Sequence, residues 1–193
     1  MKKSCIPDFA KKEKEEDAGL TGTAFHRIME LLQYDAFYDG ETLKSDTGKI
    51  LDAEVQKYIQ KGFITKEDAD LVDLSKVEEF ITADIGKRMA KAYNNHVLKR
   101  EQPFVLGYEA SKLIENIPEG ETVLMQGVID AYLEEDGELV LLDYKTDRVD
   151  EEELLKRHKL QLQIYAEALE KLTGKKVKER LIYSFNLGKV INA

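Results

Sequence analysis

The strongest chemical signal in the chain is a set of charged residues placed inside apolar segments. Asp130 ends the run GVID within TVLMQGVIDAYL (Thr122–Leu133), and Asp143 stands two residues before Lys145 in ELVLLDYKT (Glu138–Thr146). Side chains alternate along an extended strand, so Leu139, Leu141, Asp143 and Lys145 share one side. If the two segments form a hairpin, Asp130 comes close to Asp143. Two carboxylates in a partly buried position repel, and each is raised in pKa unless a cation sits between them. A hard divalent cation answers that need, since Mg2+ prefers oxygen ligands and keeps waters available. Lys145 is then suited to orient or deprotonate a water beside a phosphate. Thr146 and Arg148 follow, and the forked donor set of Arg148 suits contact with phosphate. The plainer alternative is a surface ion pair of Asp143 with Lys145, with Asp130 guarding a strand edge. The embedding of all three in apolar strands favours the site.

These residues need a hairpin behind them, and the surrounding pattern supplies one. Glu134 to Gly137 (EEDG) joins the two segments, and Asp-Gly is a strong hairpin turn because glycine provides the positive φ required. Upstream, Phe104 to Leu113 reads as a further strand, followed by a turn at Pro118–Gly120. Downstream, Asp150 to Leu172 reads as a long helix stopped at Gly174, and Val177 to Phe185 as a last strand. Before Pro103 the period is helical. Apolar residues predict a helix over roughly 22–34 that carries His26. Lys49 to Lys61 is amphipathic, Thr65 to Asp68 resembles a capping box, Ser75 is placed to cap a segment through Val77, Phe80 and Ile81, and Ile85 to Tyr93 forms one more. The expected order is helix, helical insert, three strands, helix, strand: an α/β protein with an αβββαβ core and a small mixed sheet. A leader over 1–20 precedes one domain over 21–193, with the insert at about 36–100 and the sheet core at about 103–193.

Composition narrows the function classes. The 193 residues suit one domain, and 42% hydrophobic content is enough for a core. No apolar run approaches the roughly 20 residues of a membrane span, and the N-terminal MKKSCIPDFAKKEKEEDAG lacks an apolar signal core, so the expected location is cytoplasmic. Cys5 is the only cysteine, which excludes an internal disulfide and an iron–sulfur cluster held by this chain. There is no Gly-x-x-x-x-Gly-Lys-Ser/Thr loop, hence no ATP site of that kind. The net charge of −9 disfavours unaided capture of nucleic acid. That objection is weakened by carboxylates gathered round a metal. Two basic clusters also exist, Lys87, Arg88, Lys91, Lys99 and Arg100, and Lys171, Lys175, Lys176, Lys178 and Arg180; each reads as a solvated face.

The combination resembles the PD-(D/E)XK nuclease superfamily, with its restriction-endonuclease-like core. Asp143, Tyr144 and Lys145 stand as its (D/E)-x-K pair, and Asp130 as the first acidic residue. Gly22 to His26 (GTAFH) is similar to the G-x-x-x-H motif of the RecB and AddA branch, and Gln161 to Tyr165 (QLQIY) to its Q-x-x-x-Y motif. The stretches REQPFVLG, VLMQGVIDAYLEEDGELVLLDYKTDRV and QLQIYAEALEKLTGKKVKE look like AddA-type ATP-dependent helicase–nuclease subunits, and the likeness runs from about Gly22 to the end.

The resemblance implies that His26, Asp130, Asp143 and the Tyr144 carbonyl hold Mg2+ or Mn2+, with Asp130, Asp143, Lys145 and Gln161 as the catalytic set. It implies that Gln161 braces the site and that Tyr165, with Thr146 and Arg148, contacts DNA. Glu109 on the preceding strand is a further candidate ligand. The implied activity is hydrolysis of DNA, single strands delivered by a helicase, in double-strand-break repair and recombination. The implied partners are a UvrD-like helicase region in the same polypeptide and an AddB-type subunit. Two alternatives stay open: a non-catalytic DNA-binding or docking module that keeps the fold, and a stand-alone repair- or restriction-type endonuclease.

Overall fold

The computed structural model describes residues 16–112, 118 and 120–193. Cys5, most of the expected leader, Leu113 and Glu119 lie outside the described residues. Helix α1 (Glu16–Leu31) begins earlier than the periodicity predicts, because Gly19 and Gly22 are poor helix formers that hide its first turns from a sequence reading. Then come α2 (Tyr34–Phe37), a short hairpin of β1 (Tyr38–Asp39) and β2 (Thr42–Leu43), and α3 (Thr47–Gln60). Next are α4 (Lys66–Asp70), α5 (Leu74–Thr82) and α6 (Asp84–Asn94). Thr65 caps α4 by accepting the Asp68 amide, as expected. The cap of α5 is Asp73 instead of Ser75: Asp73 accepts the Ser75 amide.

The remaining elements are β3 (Leu98–Glu109), β4 (Thr122–Glu135), β5 (Glu138–Lys145), α7 (Glu151–Thr173), β6 (Val177–Ser184) and β7 (Lys189–Asn192). Strand β3 starts ahead of Pro103, where the polar run KREQ shows no alternation. The proline is tolerated because β3 is an edge strand. The β4–β5 turn has Asp136 at φ 56° and Gly137 at φ 82°, the paired positive angles of a tight hairpin turn.

The five-stranded sheet runs β3-β4-β5-β6-β7. Its first pairs are antiparallel, β5 and β6 are parallel across the α7 crossover, and β6–β7 is antiparallel. This is the mixed sheet expected, extended by β7. One face, with Ala131, Leu133, Val140, Leu142, Tyr144, Leu181 and Tyr183, is buried under α1 and the other N-terminal helices. The other, with Ile129, Leu139, Leu141 and Ile182, is buried under α7. A buried leucine contributes about 2 kcal/mol, so these two faces fix the register of β5: a slip by one residue would exchange the layers. That register in turn sends Asp143 and Lys145 toward α7. Among the described residues no helix is long and apolar enough to cross a membrane.

Candidate active site

Strands β4 and β5 pair from Glu135–Glu138 up to Ala131–Leu142. The next opposed positions are Asp130 and Asp143, and there the ladder stops. The side chain of Asp130 replaces the missing strand contact, its Oδ2 accepting the Tyr144 amide at 2.7 Å. Beyond that point β4 pairs with β3 alone, and the two continue as a ribbon. Leu98, Ala131 and Leu133 belong to the core under the N-terminal helices, whereas Phe104, Leu106, Met125 and Ile129 belong to the core under α7. The ribbon thus changes layers at one place, the level of Asp130 on β4 and Glu101 on β3. Glu101 has φ 48°, a left-handed conformation that a non-glycine residue adopts at a cost and that clusters at functional sites.

Helix α1 delivers His26 to the same place. Its Nδ1 lies 3.2 Å from Asp130 Oδ1 and its Nε2 lies 3.1 Å from the Tyr144 carbonyl. Both contacts are hydrogen bonds only while the ring carries two protons. Burial alone would lower the His26 pKa, but the hydrogen bond and charge of Asp130 outweigh it and the imidazole is raised. Reciprocally, burial would raise Asp130, and His26 holds it below the usual carboxylate range. Ligand atoms of His26, Glu101 and Asp130 all lie within 4.8 Å of one another. Burial and then the charge of Asp130 push the Glu101 carboxyl up to about 7.

Asp143 is 1% exposed. Its Oδ2 is 2.7 Å from Lys145 Nζ, a close ion contact without the alignment of a hydrogen bond. Burial raises its carboxyl and Asp130 adds to the rise, which Lys145 offsets only in part. Lys145 itself, which burial would lower, is held well above its ordinary value by Asp143 and Asp130. In the metal-free site the two carboxylates therefore favour the ammonium form of Lys145, a donor and a positive charge.

Helix α7 closes the site from the other side. Gln161 donates from Nε2 to the Tyr165 hydroxyl at 2.8 Å, the i,i+4 contact of one helical face. Tyr165 is 6% exposed, its ring edge-on to Phe104 with centroids 5.3 Å apart. This buried placement suits bracing more than contact with a DNA strand. Thr146 is half-buried beside Gly22, whose missing Cβ would stand 3.4 Å from Thr146 Oγ1, an ordinary contact distance. Arg148 is exposed in the loop between β5 and α7.

The structure therefore brings His26, Asp130, Asp143, Tyr144 and Lys145 together, with Gln161 and Tyr165 adjoining. It does not bring Glu109. That residue ends β3 opposite Thr122, eight positions from Glu101 and so about 27 Å along the strand. Glu101 is the acidic residue of β3 that lies beside His26 and Asp130, and sequence reasoning missed it because it sits in a polar run with no strand period. The donor set of His26, Glu101 and Asp130, with the Tyr144 carbonyl beside His26, fits a hard divalent cation, and Asp143 stands opposite Asp130 outside that close group. Asp143 Oδ2, buried without an aligned donor, is the atom such an ion would satisfy.

Several residues of the basic clusters are engaged within the chain. Arg88 pairs with Glu135 and Glu179, Lys91 with Glu41, Lys175 with Glu134 and Lys178 with Glu135. Arg100 donates to the Leu32 carbonyl at 2.6 Å, at the end of α1.

Comparison with known proteins agrees with this geometry. The pattern of the PD-(D/E)XK nuclease superfamily matches residues 3–191. A relative from Clostridium novyi (strain NT), named as an ATP-dependent helicase/nuclease subunit, is 38% identical over 186 residues, covering 93% of this chain and 14% of its own length. The protein of the same name from Thermoanaerobacter sp. (strain X514) is 37% identical over 191 residues, covering 96% of this chain and 15% of its own length. In Clostridioides difficile (strain 630) the corresponding protein is 34% identical over 194 residues, covering 93% of this chain and 14% of its own length. The chain thus spans 14–15% of the length of these relatives.

Proposed function

The chain belongs to the PD-(D/E)XK nuclease superfamily, and from that premise we propose that it hydrolyses DNA phosphodiester bonds with a divalent cation held by His26, Asp130, Asp143 and the Tyr144 carbonyl. Glu101 joins this set from β3. The observation that carries the reading is the end of the β4–β5 ladder, where two opposed carboxylates face one permanent cation, Lys145. When bound, Mg2+ or Mn2+ supplies Lewis-acid polarisation of the phosphate and offsets charge developing on it.

The chain's own residues do the rest. Lys145, kept protonated by Asp143 and Asp130, donates to the attacking water or to a phosphate oxygen and fixes the line of approach. Gln161 and Tyr165 hold the α7 side of the site in place through their mutual hydrogen bond. Thr146 and the exposed Arg148, just beyond the catalytic strand, take the flanking phosphates. Single-stranded DNA is the substrate, degraded as an exonuclease in double-strand-break repair and recombination, inside the cytoplasm. A UvrD-like helicase region in the same polypeptide and an AddB-type subunit supply the strand. That reading rests on the names of the relatives, and it explains how a chain of net charge −9 meets DNA.

The test is incubation of the purified chain with linear single-stranded DNA and Mg2+ or Mn2+, beside Asp143→Ala and EDTA controls. Metal-dependent degradation that disappears in the variant supports the proposal. Nicking of closed circular DNA without a partner would point instead to a stand-alone endonuclease. DNA binding with no cleavage under either metal would point to a docking module.

A further inference from the structure

Strand β3 is held to two different layers by residues four positions apart. Phe104 is buried under α7, its ring edge-on to Tyr165. Arg100 is held on the opposite side, at the end of α1. Its Nη1 donates to the Leu32 carbonyl at 2.6 Å and to the Met29 carbonyl at 3.4 Å. Carbonyls at a helix C-terminus lack helical partners and carry partial negative charge, so a guanidinium suits them. Tyr93 of α6 steadies that guanidinium, whose carbon lies 5.9 Å from the ring centroid. The Tyr93 hydroxyl in turn donates to Gln33 Oε1 at 2.6 Å, just beyond α1.

Side chains alternate along a strand, so positions 100 and 104 should face the same layer. They face opposite ones, and the alternation has to reverse between them. The reversal falls on Glu101, at φ 48°. Arg100 pairs with Ala131 and Gln102 with Ile129, so Glu101 stands opposite Asp130. Its carboxylate thereby comes within 4.8 Å of the ligand atoms of His26 and Asp130. His26 rides on α1 three residues before Met29. Arg100 thus ties the helix that carries His26 to the residue adjoining Glu101.

We propose that Arg100 is a positioning residue for the cation site: its clamp on the end of α1 fixes the left-handed turn at Glu101 and so sets the spacing between the Glu101 carboxylate and the His26 imidazole. Arg100 touches neither cation nor DNA in this role and acts through Glu101. Without the clamp β3 is free to keep ordinary alternation at position 101, which carries the carboxylate away from His26 and Asp130. Loss of a group that orients a metal ligand from outside costs roughly 10–100-fold in affinity. Charge alone works the other way, since removing a positive charge near the site strengthens binding of a divalent cation. The sign of the change therefore separates positioning from electrostatics. The inference rests on the metal-site reading above, with Glu101 in the set, and the experiment keeps the two apart.

Mn2+ alone is titrated calorimetrically into the whole chain and into Arg100→Met, Arg100→Lys, Glu101→Gln, Asp143→Asn and the double variant Arg100→Met with Glu101→Gln. Thermal unfolding of each metal-free variant is recorded alongside. The expected result is a Kd weakened about tenfold or more in Arg100→Met. Partial recovery is expected in Arg100→Lys, which keeps a charged donor for the Leu32 carbonyl. The double variant should bind no more weakly than Glu101→Gln alone, because a residue that acts through Glu101 has nothing left to position. A helix cap and nothing more would lower the Tm of Arg100→Met and leave its Kd at or below the wild-type value, which overturns the proposal. Equal weakening by Arg100→Met with and without Glu101 overturns it too. If Glu101→Gln binds Mn2+ as the wild type does while Asp143→Asn does not, the positioning role falls and the metal site stands. If the unmodified chain binds no Mn2+, both fall. Should the methionine variant fail to fold, Arg100→Lys, alone and with Glu101→Gln, carries the same comparison.

Discussion

The β4–β5 hairpin has a charged cluster at each end, and the two are built on opposite plans. At the turn end, Glu135 accepts from Nε and Nη2, one edge of the Arg88 guanidinium, at 2.9 and 2.8 Å. Glu179 on β6 takes the other two contacts at 3.0 and 2.9 Å. Lys178 adds a third cationic contact to Glu135 at 3.2 Å. Charges there balance, and Arg88 holds the Glu135 carboxyl below its ordinary range. At the open end Lys145 acts on Asp130 and Asp143 and Arg27 acts on Glu101, yet burial still pushes Glu101 and Asp143 upward. The pKa values of His26 and Glu101 are both raised, so this end holds protons to higher pH. The same residue types thus give a closed ion network where partners are built in, and a cation site where they are withheld.

The sharpest way to break this comparison is to neutralise one carboxylate at each end. Asp143→Asn should lower DNA cleavage by an order of 10²–10³, the cost of losing one group that stabilises the transition state. Glu135→Gln should leave cleavage within about twofold, since its charge is answered by Arg88 and Lys178 and touches nothing in the site. Steady-state degradation of single-stranded DNA by both variants decides the matter. Equal loss at both ends would mean that the network, too, serves catalysis.

Next in size is the pH dependence of metal binding. Protons held at the open end must leave when the cation enters, because ligands bind deprotonated. Glu101 titrates at about 7 and His26 above its ordinary value. Mn2+ affinity should therefore climb with pH by about tenfold per unit for each proton displaced, through the range around pH 7 where Glu101 titrates, and level off only once His26 has also lost its proton. Calorimetry in two buffers of different ionisation heat should show about one to two protons released near pH 6.5. Glu101→Gln should remove one of them. Affinity independent of pH would mean that the open end is not poised by protons.

How far the two ends were legible follows from how each is encoded. Asp130, Asp143 and Lys145 stand in strongly alternating strands joined by Asp-Gly, so periodicity alone placed them on one hairpin. The balanced end was not legible, because Arg88, Glu135 and Glu179 lie on three elements and meet only through packing. Glu101 was hidden for a different reason. Its position depends on a left-handed residue in an edge strand, which no hydrophobic pattern marks, and Glu109, the acidic residue inside the clear strand pattern, drew the expectation instead. Strands β1, β2 and β7 are too short for any period to register.

A smaller effect tests the closed end. Arg88→Ala removes four charged hydrogen bonds from side chains about 30% exposed, so solvent screening limits the loss to about 1–2 kcal/mol. Because the Glu135 pKa is depressed in the folded state, this stability is full above the unfolded value near 4.3 and is lost as pH falls through the folded one. The difference in urea midpoint between wild type and variant should be complete at pH 7 and shrink below about pH 4. Mn2+ affinity should not move.

The smallest effect carries the opposite sign. The Glu101 pKa is raised to about 7 in the fold, against about 4.3 unfolded. The folded state therefore holds this proton longer, and the metal-free protein loses stability as pH rises from about 4.3 to 7. Glu101→Gln abolishes that loss. At pH 8 the metal-free variant should be more stable than wild type by about 1 kcal/mol after allowance for partial exposure, and at pH 4 the two should coincide. Saturating Mn2+ should reverse the order at pH 8, because ligand binding stabilises the chain that retains the carboxylate. A glutamate that destabilises the empty site and stabilises the filled one is the signature of a charge held for a cation. No residue of the Arg88 network should show it.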